Sequence, residues 1–154
     1  MPPTPTQTTK GRRSDPVIQF SILTPNRLGR LHDLVRQFGA QGLHVLALMV
    51  LDTTDSSIIR LVVDDPDKAR ELLGREGFPF NESKLVVVEA NSTDLNRLMT
   101  ALLEAELNIN YLYSFIPQPQ GKSIVGLSME DNETAEQALR RHQFRTLCQT
   151  DISR

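Results

Sequence analysis

The chain has 154 residues, 39% of them hydrophobic and 23% charged, a balance that supports a packed core and excludes disorder for the bulk of the protein. A net charge of -2 with Lys and Arg scattered among acids offers no basic stripe to follow a phosphate backbone, so no nucleic acid is expected as a partner. The longest apolar runs, such as Leu43 to Leu51, fall far short of the roughly 20 residues of a bilayer span, which excludes a transmembrane helix.

Residues 1–15 are rich in Pro, Thr and Gln, which predicts a disordered tail. They contain no apolar stretch of the kind a secretory signal needs, so a cytoplasmic location is the default expectation. From Val17 to Ile22, Ile18, Phe20 and Ile22 alternate with Val17, Gln19 and Ser21, the pattern of a half-buried strand. Pro25 stops it, and Asn26 is placed to cap a helix carrying Leu28, Leu31, Leu34, Val35 and Phe38 on its apolar side. Gly39 and Gly42 end that helix.

A second strand over Leu43 to Leu51, a turn at Asp52 to Ser56 and a third strand over Ile58 to Val63 form an antiparallel hairpin. Asp64-Asp65-Pro66-Asp67 starts a helix, with acids in its first turn and Pro near its first position. A fourth strand begins at Phe78 to Phe80, completing a βαββαβ unit. The same order then recurs: strand Leu85 to Glu89, helix Thr93 to Leu103, strands Ile109 to Ile116 and Ile124 to Met129, helix Glu133 to Arg141 and strand Phe144 to Thr150. Cys148, the single cysteine, falls in that last strand and is expected to be a buried structural thiol.

The recurrence holds residue by residue. At an offset of 64, Leu31 falls on Leu95, Leu34 on Leu98, Phe38 on Leu102 and Leu48 on Leu112. Beyond the hairpin the offset becomes 66, with Ile58 on Ile124, Leu61 on Leu127, Ala69 on Ala135 and Leu73 on Leu139. The longer loop Pro117 to Lys122 absorbs the difference, where an insertion is best tolerated. The fold class is therefore α+β, with two tandem ferredoxin-like modules, each an antiparallel sheet with helices on one face. The expected division is a tail over 1–15 and modules over 16–83 and 84–154.

Each sheet is left with a second face. Tyr111, Tyr113 and Phe115 alternate along one strand of the second module where Ala47, Met49 and Leu51 stand in the first. Such a face needs a cover: the other module, a second chain, or a joining of sheet edges.

The fold hosts unrelated functions, so the residues must decide. The third strands carry no aromatic side chains for stacking RNA bases, and one cysteine cannot supply the paired thiolates of a soft-metal carrier. His32, His44 and His142 share no metal-ligand spacing and have no acid partner that the sequence places, while Asp64 and Asp65 have the ordinary reading of helix caps. No catalytic residue and no metal ligand is indicated.

The loop Thr24-Pro25-Asn26-Arg27-Leu28-Gly29-Arg30-Leu31, followed after its helix by Gly42-Leu43-His44-Val45, resembles the strand-to-helix signature of ACT domains. In that signature an Asn or Asp is followed by x-x-Gly-x-Leu and later by Gly-hydrophobic-x-hydrophobic. The resemblance covers Val17 to about Thr150. It implies a non-catalytic regulatory protein, a homodimer without cofactor, that binds an amino acid or similar small effector between modules and modulates amino-acid metabolism. Regulatory subunits of acetolactate synthase carry paired modules of this type, so that enzyme is the nearest implied partner. The rival is an interaction module without ligand.

On this reading Asn26, Arg27, Leu28, Gly29, Arg30 and Leu31 form the ligand loop. Free N–H groups at a helix start attract a carboxylate, and glycine lets a ligand approach the backbone. Equally, Asn26 caps the helix and Gly29 only permits packing. The second module has Ala90-Asn91-Ser92-Thr93-Asp94-Leu95 at the matching positions, without the glycine. Its contribution is expected instead from Asn110 and Tyr111, as an opposing wall.

Overall fold

The structure is a computed structural model that describes residues 15–25, 29–117 and 121–153. Its elements, in order, are β1 (Val17–Pro25), α1 (Arg30–Ala40), β2 (Val45–Asp52), β3 (Ser56–Val63), α2 (Pro66–Arg75), β4 (Phe80–Glu89), α3 (Leu95–Glu104), β5 (Ile109–Ser114), β6 (Ile124–Met129), α4 (Asn132–Arg141), β7 (Thr146–Leu147) and α5 (Gln149–Ile152). A single 3-10 turn, Ser92–Asp94, leads into α3.

The helices start where local chemistry tells them to. Asp65 accepts a hydrogen bond from the Lys68 N–H ahead of Pro66, and Asp131 does the same for Thr134. Asn91 takes the Thr93 N–H while Asp94 takes that of Asn91, a reciprocal cap. Asp64 has a different job from its neighbour. Its carboxylate accepts the His44 N–H at 3.0 Å and meets the ring Nδ1 at 2.7 Å, fastening the start of β2 to the end of β3. His142 likewise has an acid partner, Glu104, at 3.1 Å. These two pairings depend on packing across elements, which the sequence does not display.

All seven strands form one sheet in the order β2-β3-β1-β4-β6-β5, with β7 also on β4. In the first module Phe20 pairs with Leu61 and Ile22 with Ile59; in the second, Val86 pairs with Leu127 and Val88 with Val125. Both strands of the pair are thus displaced by the same 66 positions, so the duplication extends to the hydrogen-bond register. The fourth strand of the first unit and the first strand of the second are one continuous strand. Residues Phe80 to Leu85 of β4 pair with β1, and Val86 to Glu89 pair with β6. The expected boundary at residues 83 and 84 falls inside this strand.

The sheet curls until its ends meet. Ala47 on β2 bridges Phe115, and the Ile116 N–H donates to the Leu46 carbonyl at 2.8 Å. The helices lie on the outside over two separate cores. One gathers Phe20, Ile22, Leu34, Phe38, Leu61 and Leu73; the other gathers Val86, Val88, Leu98, Leu102, Leu127 and Leu139. The inner faces enclose a third core of Val17, Ala47, Val62, Leu85, Val87, Tyr113, Phe115, Leu147 and Ile152. The aromatic face of the second module is therefore covered from within the chain, by the face of the first.

The C-terminus departs from expectation. A strand over Phe144 to Thr150 is replaced by the two residues of β7 and the short helix α5. Cys148 is half-buried and stands at the helix start, where Asp151 accepts its N–H at 2.8 Å. The helix is held there because it closes one end of the curled sheet. Ile152 enters the third core, and Gln149 donates to the Val63 carbonyl and accepts the Ile18 N–H. Asp15 accepts the N–H and hydroxyl of Thr150; the remainder of the predicted tail lies outside the described residues. No helix among the described residues is long and apolar enough to cross a membrane.

Gly126 on β6 tests the tightness of the third core. A Cβ there would sit 2.6 Å from Leu85 Cδ2 and 3.3 Å from Phe115 Cε1, and both neighbours are buried. Gly126→Val is expected to lower stability by about 1–3 kcal/mol, because overpacking forces strain into fixed neighbours. Urea denaturation midpoints at constant slope measure the change.

Candidate ligand-binding site

The loop between β1 and α1 carries most of the expected ligand contacts. Of its residues, Asn26, Arg27 and Leu28 lie outside the described residues. Gly29 takes the N-cap position of α1, with φ at 95° and no side-chain cap, and its carbonyl accepts the Asp33 N–H at 2.9 Å. That φ lies in the left-handed region, which glycine enters without the steric cost that a Cβ brings. Among the described residues the space beside it is open: apart from its chain neighbours, a Cβ built on Gly29 would have no such heavy atom within 4 Å. Arg30 lays its guanidinium over the Phe78 ring, 4.6 Å from the centroid, and Leu31 packs against the first core.

The opposing pair is split in character. Asn110 is exposed, with its amide 3.4 Å from Ser128 Oγ. Tyr111 faces the interior of the curled sheet, against the third core. Among the described residues, no hydrogen bond, ion pair or ring contact joins Gly29, Arg30 or Leu31 to Asn110 or Tyr111.

What Tyr111 does join is a polar cluster inside the sheet that sequence patterning missed. Gln19 on β1 is 1% exposed. Its amide nitrogen donates to Tyr111 Oη at 2.7 Å and to Ser83 Oγ at 3.1 Å, and its Oε1 accepts the Tyr113 hydroxyl at 2.6 Å. The two tyrosine rings lie 6.3 Å apart, and the Arg60 guanidinium stacks 4.3 Å from the centroid of Tyr111. A buried amide is tolerable only when its donors and acceptor are matched, and here the match is made by three strands of both modules. Sequence alternation put Gln19 with Ser21 on what read as the polar side of β1, and its partners, up to 94 positions away, were not visible there.

Burial pushes the Tyr113 phenol well above its ordinary pKa, with Tyr111 adding to the rise and Arg60 opposing it. The group is a neutral donor throughout the physiological range.

A family model described as an ACT domain pair matches residues 16–153. Among solved structures, a protein from Bacteroides thetaiotaomicron superposes with a TM-score of 0.80 at 23% identity, covering 90% of this chain and 96% of that one. The regulatory subunit of aspartate kinase from Thermus thermophilus, in its ligand-free form, gives 0.60 at 14% identity, covering 83% and 91%. The corresponding subunit from Thermus flavus gives 0.53 at 13%, covering 84% and 94%. At these identities the likeness is one of fold. No curated protein is significantly similar to this chain.

Tyr113→Phe is expected to cost about 1–3 kcal/mol at neutral pH, since it strands the Gln19 acceptor. The wild-type pKa is raised on folding, so the folded state holds the phenolic proton more tightly than the unfolded one. The phenol's stabilisation is therefore complete below about pH 10 and declines as pH rises beyond it. Denaturant titrations from pH 8 to 11 (roughly bracketing the free tyrosine pKa) should show a smaller loss of stability above pH 10 in the Phe variant.

Proposed function

The chain belongs to the ACT domain pair family, a family of regulatory domains, and from that premise we propose that it is a non-catalytic sensor of an amino acid. The observation that carries this reading is the opening of α1. A left-handed glycine with free space beside it leaves the N–H groups of a helix start approachable, which suits the carboxylate of a small zwitterion. Asn26 and Arg27, adjoining that start in sequence, supply an amide and a cation for the same ligand. The effector's remaining contacts come from an opposing module of a second copy, with Asn110 as the exposed contributor and Tyr111, held inside the sheet by Gln19, backing that wall.

The physiological partner on this reading is a biosynthetic enzyme of amino-acid metabolism, and the protein acts on it allosterically as a homodimer in the cytoplasm. Acetolactate synthase is the partner suggested by the resemblance of the sequence. The aspartate kinase regulatory subunits of the two Thermus species support the broader idea that a free-standing pair of such modules serves a separate catalytic chain. The modules proposed are 16–83 and 84–154, exchanging roles along β4.

A thermal-shift series against the proteinogenic amino acids tests the proposal. One of them, at a hundred times its Kd, should add about 2.7 kcal/mol, raising the midpoint by roughly 5–10 °C. Gly29→Val should abolish that response while the protein remains folded, because a β-branched residue is strongly disfavoured at positive φ but the strain of one residue is only about 1–2 kcal/mol. No response from any amino acid ends the sensor reading, and an unchanged response in the Gly29 variant removes the loop from the site.

A further inference from the structure

The curled sheet has two unequal ends. At one, α5 seats Ile152 against Val17, Leu85 and Leu147. Toward the other end, where β1 runs out, the inner face carries a row of Ser21, Arg60 and Met49 in register, followed by a row of Leu23, Ile58 and Leu51. Leu23 is 50% exposed and Leu51 48%, so among the described residues no element covers this end as α5 covers the other.

Arg60 is the anomaly in this face. Its Nε is buried without a hydrogen-bond partner, and among the described residues the side chain makes no hydrogen bond or ion pair; its contact is the stack on Tyr111. A guanidinium carries five N–H donors and no acceptor, and taking any of them out of water unmatched is costly. The duplication shows that the fold itself makes no demand for a cation here. The equivalent position in the second module is Gly126, where Leu85 fills the space. Arg60 is moreover aimed rather than loose, since Tyr111 beneath it is fixed by Gln19.

We propose that this end of the inner face binds a small aliphatic carboxylate, with Arg60 taking the carboxylate and Leu23, Ile58 and Leu51 the apolar body. Arg suits a carboxylate because its paired N–H groups meet both oxygens in one plane. The neighbouring row supplies an apolar surface already exposed to solvent, which a hydrocarbon chain of a few carbons covers. No carboxylate stands in either row to accept an ammonium, so the recognised group is the acid end of the ligand. The assignment builds on the effector-binding reading above and places an additional ligand contact away from the α1 loop.

Isocaproate and isoamylamine, which share a branched body but differ in charge, are the probes, used with the full chain in calorimetry and in nitrogen-edited NMR of the Arg side chains. Isocaproate should bind saturably and shift the Arg60 Nε–H resonance, whereas isoamylamine should do neither. Arg60→Met should weaken isocaproate by at least about tenfold, with the ligand-free melting midpoint unchanged or raised, because a cation lacking a counter-charge is exchanged for an apolar side chain. If that variant fails to fold, the Arg60 resonance in the wild type still decides.

Absence of isocaproate binding, an unmoved Arg60 resonance at saturation, or unchanged affinity in Arg60→Met overturns the proposal. So does a dimer whose dissociation by Leu51→Asp shows that a second copy covers this end while isocaproate does not bind. Amino-acid binding that is lost in Gly29→Val but untouched in Arg60→Met leaves the sensor standing and this site refuted. Isocaproate at Arg60 with no amino acid bound anywhere upholds this site and refutes the amino-acid sensor.

Discussion

Two four-stranded sheets, each with helices on one side, leave two apolar faces that water would otherwise cover. Burying those faces against each other is the constraint on which the rest of this molecule depends. It requires the sheet to curl, it requires β4 to serve both modules without a break, and it requires something to close the end near Val17, which α5 does. The continuity of β4 is the simplest solution, because a strand running through both registers fixes the relative placement of the modules with backbone hydrogen bonds. The bridge between Ala47 and Phe115 then brings the two outer strands together, reducing the unpaired edge that an open sheet would present.

Within that symmetric frame the side chains are unequal. The helix-facing positions repeat as apolar on apolar, whereas the inner face substitutes Tyr111 for Ala47 and Gly126 for Arg60. Volume explains part of this: the interior of a curled sheet is shared, so a large residue from one module needs a small one from the other. Polar matching explains another part. Gln19 is satisfied only because the second module supplies two tyrosines, so the cluster specifies which faces meet and in what orientation. Hydrogen bonds of this kind contribute modestly when made and cost more when broken, which makes them better at excluding wrong arrangements than at adding stability.

The same inequality bears on function. The α1 opening, with Gly29 in a left-handed conformation, has no counterpart at α3, where Asn91 and Asp94 cap each other and leave fewer free N–H groups. On the proposed reading, the pair keeps one module open to a ligand and uses the other to build the wall and the core.

Much of this was legible in the sequence. Apolar periodicity gave each βαββαβ unit, and the matched offsets gave the duplication, because burial on one face of a helix or strand leaves a local pattern. Asp65 marked a helix start for the same reason: a cap acts over three residues, whereas the caps at Asp131 and Asn91, and the N-cap at Gly29 where Asn26 was expected, emerged only in the structure. The candidate loop was visible as a local motif around Asn26 and Gly29. What only the tertiary structure decided was how the modules combine: the unbroken β4, the curl, the conversion of the expected last strand into α5, and the gathering of Gln19, Tyr111, Tyr113 and Arg60. Each rests on contacts between residues far apart in the chain, and neither periodicity nor capping encodes a partner at that distance.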